Sequence, residues 1–257
     1  RSTKAPWILK PRSEASATGI RKVQSLEEAW NVIHSLGDHR HEFLIEQFKP
    51  GRVYHVDSLS YDGNVVFTRA SQYLATPMEV AHGGGVFRTV NLPLDTEETE
   101  ALKQLNTNVL KAFGMRHSAS HSEYIRSEHD GELYFLETAS RVGGAHIAEL
   151  VEAASGINLW REWAILENAV ASNQPYKVPA DEPHYAGLII SLARQQWPDV
   201  SVFTEPEIWW RLNRDYHVGL IVRSDNQARI MELMDTYMHR IYTEFHASAP
   251  LPDKPTS

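Results

Sequence analysis

Apolar residues along the chain switch between a period of two and a helical period, and the switches divide it into elements. Trp7 to Lys10 is a short apolar run stopped by Pro11, which predicts a strand. The small residues from Ser13 to Gly19 predict a loop. Ser25 and Glu28 have capping-box spacing, and Leu26, Ala29, Trp30 and Ile33 follow on one helical face up to Gly37. Phe43 to Phe48 and Val53 to Tyr61 predict strands around Lys49-Pro50-Gly51. Asp62-Gly63 then marks a hairpin into the strand Asn64 to Thr68. Thr76 to Gly85, ending in His82 and three glycines, predicts a loop, with substrate gating as one role for His82.

A second helix is expected from Asp95, with Leu102, Leu105, Val109 and Phe113 on its inner face. Ser118 to Ser127 and Glu132 to Ala139 predict two strands joined at His129-Asp130-Gly131. Gly143-Gly144 precedes a helix to about Ser155, and Asn158 caps another. Pro175 to Pro183 predicts a linker. The strands Tyr185 to Ala193, Ile208 to Leu212 and Val218 to Val222 follow, then a helix with Ile230, Leu233, Met234, Tyr237, Ile241 and Phe245 at helical spacing. This order is α+β with antiparallel hairpins dominating. It predicts three parts: residues 1–42, 43–174 and 175–257. Trp209, Trp210 and the last helix's stripe are expected to pack the third, with a lid or a homodimer surface as a further role.

Composition narrows the function classes. Of 257 residues, 42% are hydrophobic, enough to bury a core. The absence of cysteine excludes disulfides, thiolate catalysis and cysteine-ligated zinc. A net charge of -8 argues against nucleic-acid partners. No run of about 18 apolar residues exists, and Arg1 to Pro6 lacks the apolar run of a signal peptide, so no membrane span and a cytoplasmic location are expected.

The hairpin centred on Asp130 carries the most specific chemistry. In a symmetric register Glu123 faces Glu137, with Cβ atoms roughly 5 Å apart. Two opposed carboxylates repel unless they share a proton or hold a cation, and hard oxygen ligands suit Mg²⁺ or Mn²⁺. The alternative is an exposed edge hairpin with both carboxylates in water. Arg141 follows four residues after Glu137, beside Gly143-Gly144 and a helix start, which suits an anion. The alternative for Arg141 is a surface ion pair.

These residues bring the chain to a family resemblance. Lys10-Pro11-Arg12, the loop to Gly19-Ile20, Glu46-Gln47-Phe48 before Gly51, Val56-Asp57, His121-Ser122-Glu123-Tyr124 and Leu136 to Gly144 occur in an ordered set that resembles the ATP-grasp superfamily. The nearer relatives resembled are carboxylate–amine ligases, including L-amino-acid ligases, and the biotin carboxylase type. The resemblance implies two α+β lobes gripping ATP, plus a small C-terminal α+β subdomain. It implies that Lys10 and Arg141 are catalytic. Lys10, Arg12, Ser16 and Gly19 would contact the phosphates, Glu46, Gln47 and Phe48 the adenine, and Tyr54 or His55 the ribose. Glu123 and Glu137 would ligate magnesium. The implied reaction activates a small-molecule carboxylate as an acyl phosphate for attack by an amine. A carboxylating enzyme of the biotin carboxylase or carbamoyl-phosphate type, and a non-catalytic nucleotide-binding module, are the alternatives.

The chain departs from the pattern in three respects. Glu14 and Ser16 stand at glycine-like positions of the phosphate loop, Ala139 stands where many members have Asn, and Val53 where an acidic residue is common. In the symmetric register His121 opposes Ala139 and is a candidate to fill the coordination gap. Arg69, Gln72 and Tyr73 are candidates to line the cleft. Relatives also place an N-terminal α/β domain and a first nucleotide-contacting lysine before the strand of Lys10. The expectation is therefore an N-terminally truncated chain that alone binds ATP weakly and turns over little.

Overall fold

The computed structural model describes residues 3–13 and 19–248. The predicted loop contacts at Glu14 and Ser16 lie outside them. Two antiparallel sheets organise the chain. The smaller has order β2-β1-β3, with β1 Trp7–Pro11, β2 Arg21–Val23 and β3 Phe43–Gln47. Helix α1, Leu26–Ser35, packs Ala29, Val32 and Ile33 onto Leu9 and Val23 of this sheet. The predicted inner face is shifted: Leu26 and Trp30 are 64% and 52% exposed, because the stripe centres on Ala29 and Ile33 instead.

The larger sheet has eight strands in the order β10-β11-β9-β6-β5-β4-β7-β8. Its middle is a meander of β4 Gly51–Tyr61, β5 Asn64–Tyr73 and β6 Phe87–Asn91, flanked by the hairpin of β7 Ser118–Ser127 and β8 Leu133–Ala139. Asp62 and Gly63 both take positive φ, as the tight β4–β5 turn requires. The last strands, β9 Tyr185–Leu192, β10 Ile208–Arg211 and β11 His217–Ser224, join the same sheet through β6. One continuous sheet therefore runs across the predicted boundary at residue 175.

Three helical packings cover its faces. Helix α3, Glu97–Ala112, lays Leu102, Leu105 and Val109 on Tyr54, Val56 and Tyr124. Helix α6, Gln227–Glu244, covers the same face further along, on Ile189, Val218 and Leu220. Helices α4, Ile147–Ser155, and α5, Leu159–Ala171, cover the opposite face through Ile147, Val151 and Leu159. Phe113, predicted inward, is the exposed C-cap of α3. No helix among the described residues is long and apolar enough to cross a membrane.

Two elements differ from the pattern reading. Thr76 to Gly85 contains helix α2, Pro77–Gly83, where Thr76 accepts from the Glu79 amide and Glu79 accepts from the Thr76 amide. Strand β5 runs to Tyr73, beyond the expected end at Thr68. At Gly51, where β4 begins, an added Cβ would sit 2.0 Å from the Arg126 carbonyl oxygen of β7. Gly51→Ala is accordingly expected to destabilise the protein by about 1–3 kcal/mol, measured as a lower urea midpoint at unchanged slope.

Candidate active site

The register between β7 and β8 decides the site. His121 pairs with Ala139, Ser122 with Thr138 and Glu123 with Glu137, as the symmetric hairpin predicts. A bulge then intervenes, so Tyr124 faces Phe135 and Leu136 is the extra residue. The bulge leaves the Leu136 carbonyl available at the sheet edge, and Lys10 Nζ of the smaller sheet donates to it at 3.1 Å. The same ammonium lies 3.0 Å from Glu46 Oε2. Lys10 thus spans from one sheet to the carboxylate hairpin of the other.

The two carboxylates have different surroundings. Burial pushes the Glu123 carboxyl up, but His121 and a hydrogen bond from Tyr73 together hold it below the ordinary range. Tyr73 Oη donates to Glu123 Oε1 at 2.7 Å. Partial burial and then the charge of Glu123 push Glu137 up, against the opposing influence of Lys10, His121 and Arg141. Glu137 is therefore an anion short of compensation, and a hard divalent cation is the group that this donor set fits.

A buried network stands behind Glu123. His55 and Asp57 have no exposed surface. Asp57 faces His55 Nδ1 at 2.6 Å through one oxygen and His121 Nδ1 at 2.8 Å through the other. Burial alone would raise Asp57; the two imidazoles outweigh it and hold the carboxyl at about 2. Burial lowers His121, whereas Asp57 and then Glu123 raise it to about 10. His55 Nε2 reaches Thr89 Oγ1 at 2.7 Å, and His121 Nε2 stands 3.6 Å from Glu123 Oε1. Donor atoms of His55, Asp57 and His121 also lie close enough together to surround an ion.

The chain after Glu137 turns sharply. Arg141 is exposed and donates to the Val142 carbonyl at 2.9 Å. Ala145 and His146 both take positive φ, an uncommon conformation for two successive non-glycine residues. The His146 ring packs 4.6 Å from that of Trp210 on β10, and its Nδ1 lies 3.3 Å from Glu149. Helix α4 begins directly after this turn.

Several assigned residues have other surroundings than expected. Tyr54 and His55 are fully buried, so neither presents a surface to a ribose. Tyr54 points to the α3 face and donates to Glu98 at 2.7 Å, while His55 is engaged by Asp57 and Thr89. His121 stands opposite Ala139, with Nδ1 toward Asp57 and Nε2 toward Glu123. Val53 sits in an apolar cluster with Tyr73 and Ile125. Arg69 is buried against the Ala154 and Glu182 carbonyls and Asp181, tying the 175–183 linker to the sheet, so it does not line the cleft. Arg12 and Gly19 are exposed at the smaller sheet's end. Gln47 pairs with Trp7, and the Phe48 amide donates to the Pro6 carbonyl, with Lys22 over the Phe48 ring. The His82 side chain lies outside the described residues. Asp57 and Thr89 are the contributors that sequence reasoning left without a role, and Tyr73, a candidate for the cleft, is the residue that donates to Glu123. The available signal was the alternation of the polar residues His55 and Asp57 with the apolar Tyr54 and Val56 on one strand.

Solved structures share this fold. The L-amino acid ligase from Bacillus licheniformis superposes with a TM-score of 0.67 over 97% of this chain and 65% of that chain, at 17% identity. At that identity the likeness is one of fold, α+β with antiparallel sheets. A family model described as ATP-grasp domain matches residues 3–149, and the chain belongs to that family. The L-arginine-specific L-amino acid ligase of Bacillus subtilis is 27% identical over 163 residues, 60% of this chain and 38% of that protein. The D-alanine–D-alanine ligase of Fervidobacterium nodosum is 21% identical over 159 residues, 60% of this chain and 49% of that protein. The chain spans under half the length of both curated relatives.

Proposed function

We propose that this chain provides the nucleotide- and metal-binding part of an ATP-dependent ligase that joins a carboxylate to an amine, of the amino-acid ligase type. The observation that carries this reading is the facing pair Glu123 and Glu137, with Lys10 and Arg141 close enough to act on the charge of Glu137. A free carboxylate is a poor electrophile. Its oxygen attacks the γ-phosphorus of ATP, ADP leaves, and the resulting acyl phosphate has phosphate as a good leaving group. The amine nitrogen then attacks the acyl carbon, phosphate departs and the nitrogen loses a proton. Glu123 and Glu137 would hold Mg²⁺ or Mn²⁺, which supplies neutralisation of phosphate charge when bound. Lys10 and Arg141 add fixed cations around the transferred group, where electrostatic stabilisation does most of the work.

The test is an assay of the full-length protein with ATP, Mg²⁺ and panels of carboxylates labelled with ¹⁸O, each offered with and without amines. ADP and phosphate are expected, with one labelled oxygen in the phosphate. AMP with pyrophosphate, or unlabelled phosphate, would overturn the acyl-phosphate route. Turnover with bicarbonate alone would select the carboxylating alternative. The glycine-poor loop from Ser13 to Gly19 favours a second reading, a nucleotide-binding module without catalysis. An ATP-induced rise in Tm without turnover across the panel selects it.

A further inference from the structure

The geometry points to Asp57 as a positioning residue: through His121 it braces the carboxylate Glu123 and the glycine turn after Arg141 at once. The inference rests on reading Glu123 and Glu137 as the metal-holding pair. Asp57 is fully buried, yet each of its oxygens meets one imidazole nitrogen, His55 Nδ1 at 2.6 Å and His121 Nδ1 at 2.8 Å. A buried carboxylate is costly unless its lone pairs are matched, and here both oxygens are matched by rings held from elsewhere. His55 is held at its far nitrogen by Thr89, 2.7 Å away, whose hydroxyl also reaches the Gln72 carbonyl at 3.1 Å. His121 presents its far nitrogen to Glu123 Oε1 at 3.6 Å, the oxygen that also accepts from Tyr73 at 2.7 Å. One line of contacts thus runs from the centre of the sheet to the carboxylate that faces Glu137.

The second arm of the brace is steric. Gly143 lies directly on the pair: a Cβ there would stand 2.8 Å from His121 Nδ1 and 3.1 Å from Asp57 Oδ1. The backbone two residues past Arg141 can approach only because it carries no side chain. The position of this turn and the orientation of Glu123 therefore refer to the same Asp57–His121 contact. Supporting shells of this kind fix a metal ligand's orientation, and removing a member weakens metal binding about 10- to 100-fold.

The experiment titrates Mn²⁺ into the protein at saturating ADP and follows free Mn²⁺ by electron paramagnetic resonance. Wild type is expected to bind Mn²⁺, Glu137→Gln to lose it, and Asp57→Asn to weaken it about 10- to 100-fold. Ser58→Ala, on the same strand but bonded to Asn106 on the opposite face, controls for loss of a buried hydrogen bond and should leave the affinity unchanged. Binding unaffected by Glu137→Gln would sink the reading of the carboxylate pair itself. Loss in Glu137→Gln with wild-type affinity in Asp57→Asn would sink only the positioning role. A second Mn²⁺ or Zn²⁺ per chain, abolished by Asp57→Asn and retained in Glu137→Gln, would overturn it by making the buried trio ligands. Should Asp57→Asn fail to fold, imidazole ¹⁵N NMR of the wild type carries the test. Slowly exchanging Nδ1–H signals from His55 and His121 are expected, the latter shifting when Mg²⁺ and ADP are added. Their absence, or a His121 signal that does not move, would overturn the brace.

Discussion

Glu137→Gln is expected to lower ADP formation at saturating ATP by at least about 100-fold, the scale on which a lost electrostatic stabiliser acts. The same substitution is expected to raise the Tm of the metal-free protein. Both follow from the surroundings of one side chain. Partial burial and the facing Glu123 charge lift the Glu137 carboxyl, so its ionised form is disfavoured by the folded state. A carboxyl whose folded pKa is raised costs stability above its ordinary pKa, and the cost vanishes as pH falls through the carboxylate range. Gln keeps the shape and removes the charge, so its advantage in Tm should shrink in acid. Metal added to wild type should recover the difference, because binding to the folded state alone stabilises it. Turnover within a few fold of wild type would remove Glu137 from the chemistry. A Tm lowered at neutral pH would contradict the electrostatic account.

The stability of the wild type is expected to fall as pH rises from about 6.5 to about 10, the ordinary and folded values of His121. Burial lowers that pKa and Asp57 more than restores it, so over this interval the folded state binds one proton more than the unfolded state. Stability then declines by up to about 1.4 kcal/mol per pH unit. The stabilisation is complete below the lower value and gone above the higher one. On the acid side Asp57 works in the opposite sense. Its folded value of about 2 lies below the ordinary 3.8, so its contribution is present above 3.8 and is lost as pH falls through 2. Urea midpoints across this range check the slope, and His121→Gln should flatten the alkaline limb. An equally steep limb in that variant would mean that other groups cause it.

The parts legible in the sequence are those governed by local period and turn chemistry. Asp62-Gly63, the Asp130 hairpin and the facing of Glu123 with Glu137 all follow from alternation and turn residues, and each stands in the structure. Helix α2 was obscured because the glycines from 83 to 85 outweighed the Thr76–Glu79 capping box beside them. Strand β6 was missed because its central position is set by β5 and β9, distant partners that no local window contains. The same limit applies to the site. His55 and Asp57 alternate toward one face, but only the neighbouring strand shows that this face meets His121 and Tyr73. The ribose assignment of Tyr54 and His55 failed for that reason: both positions lie in the interior of β4, not at its exposed start.

The contacts of Lys10 have a consequence for how the two sheets are held together. Its ammonium serves both Glu46 and the Leu136 carbonyl. On the proposed function, a phosphate taken up by Lys10 would be bound by a cation in use, so each such contact would be offset by one given up. Through the Leu136 contact the lysine ties the smaller sheet to the bulged edge of β8, and through Glu46 it is itself held from within the smaller sheet.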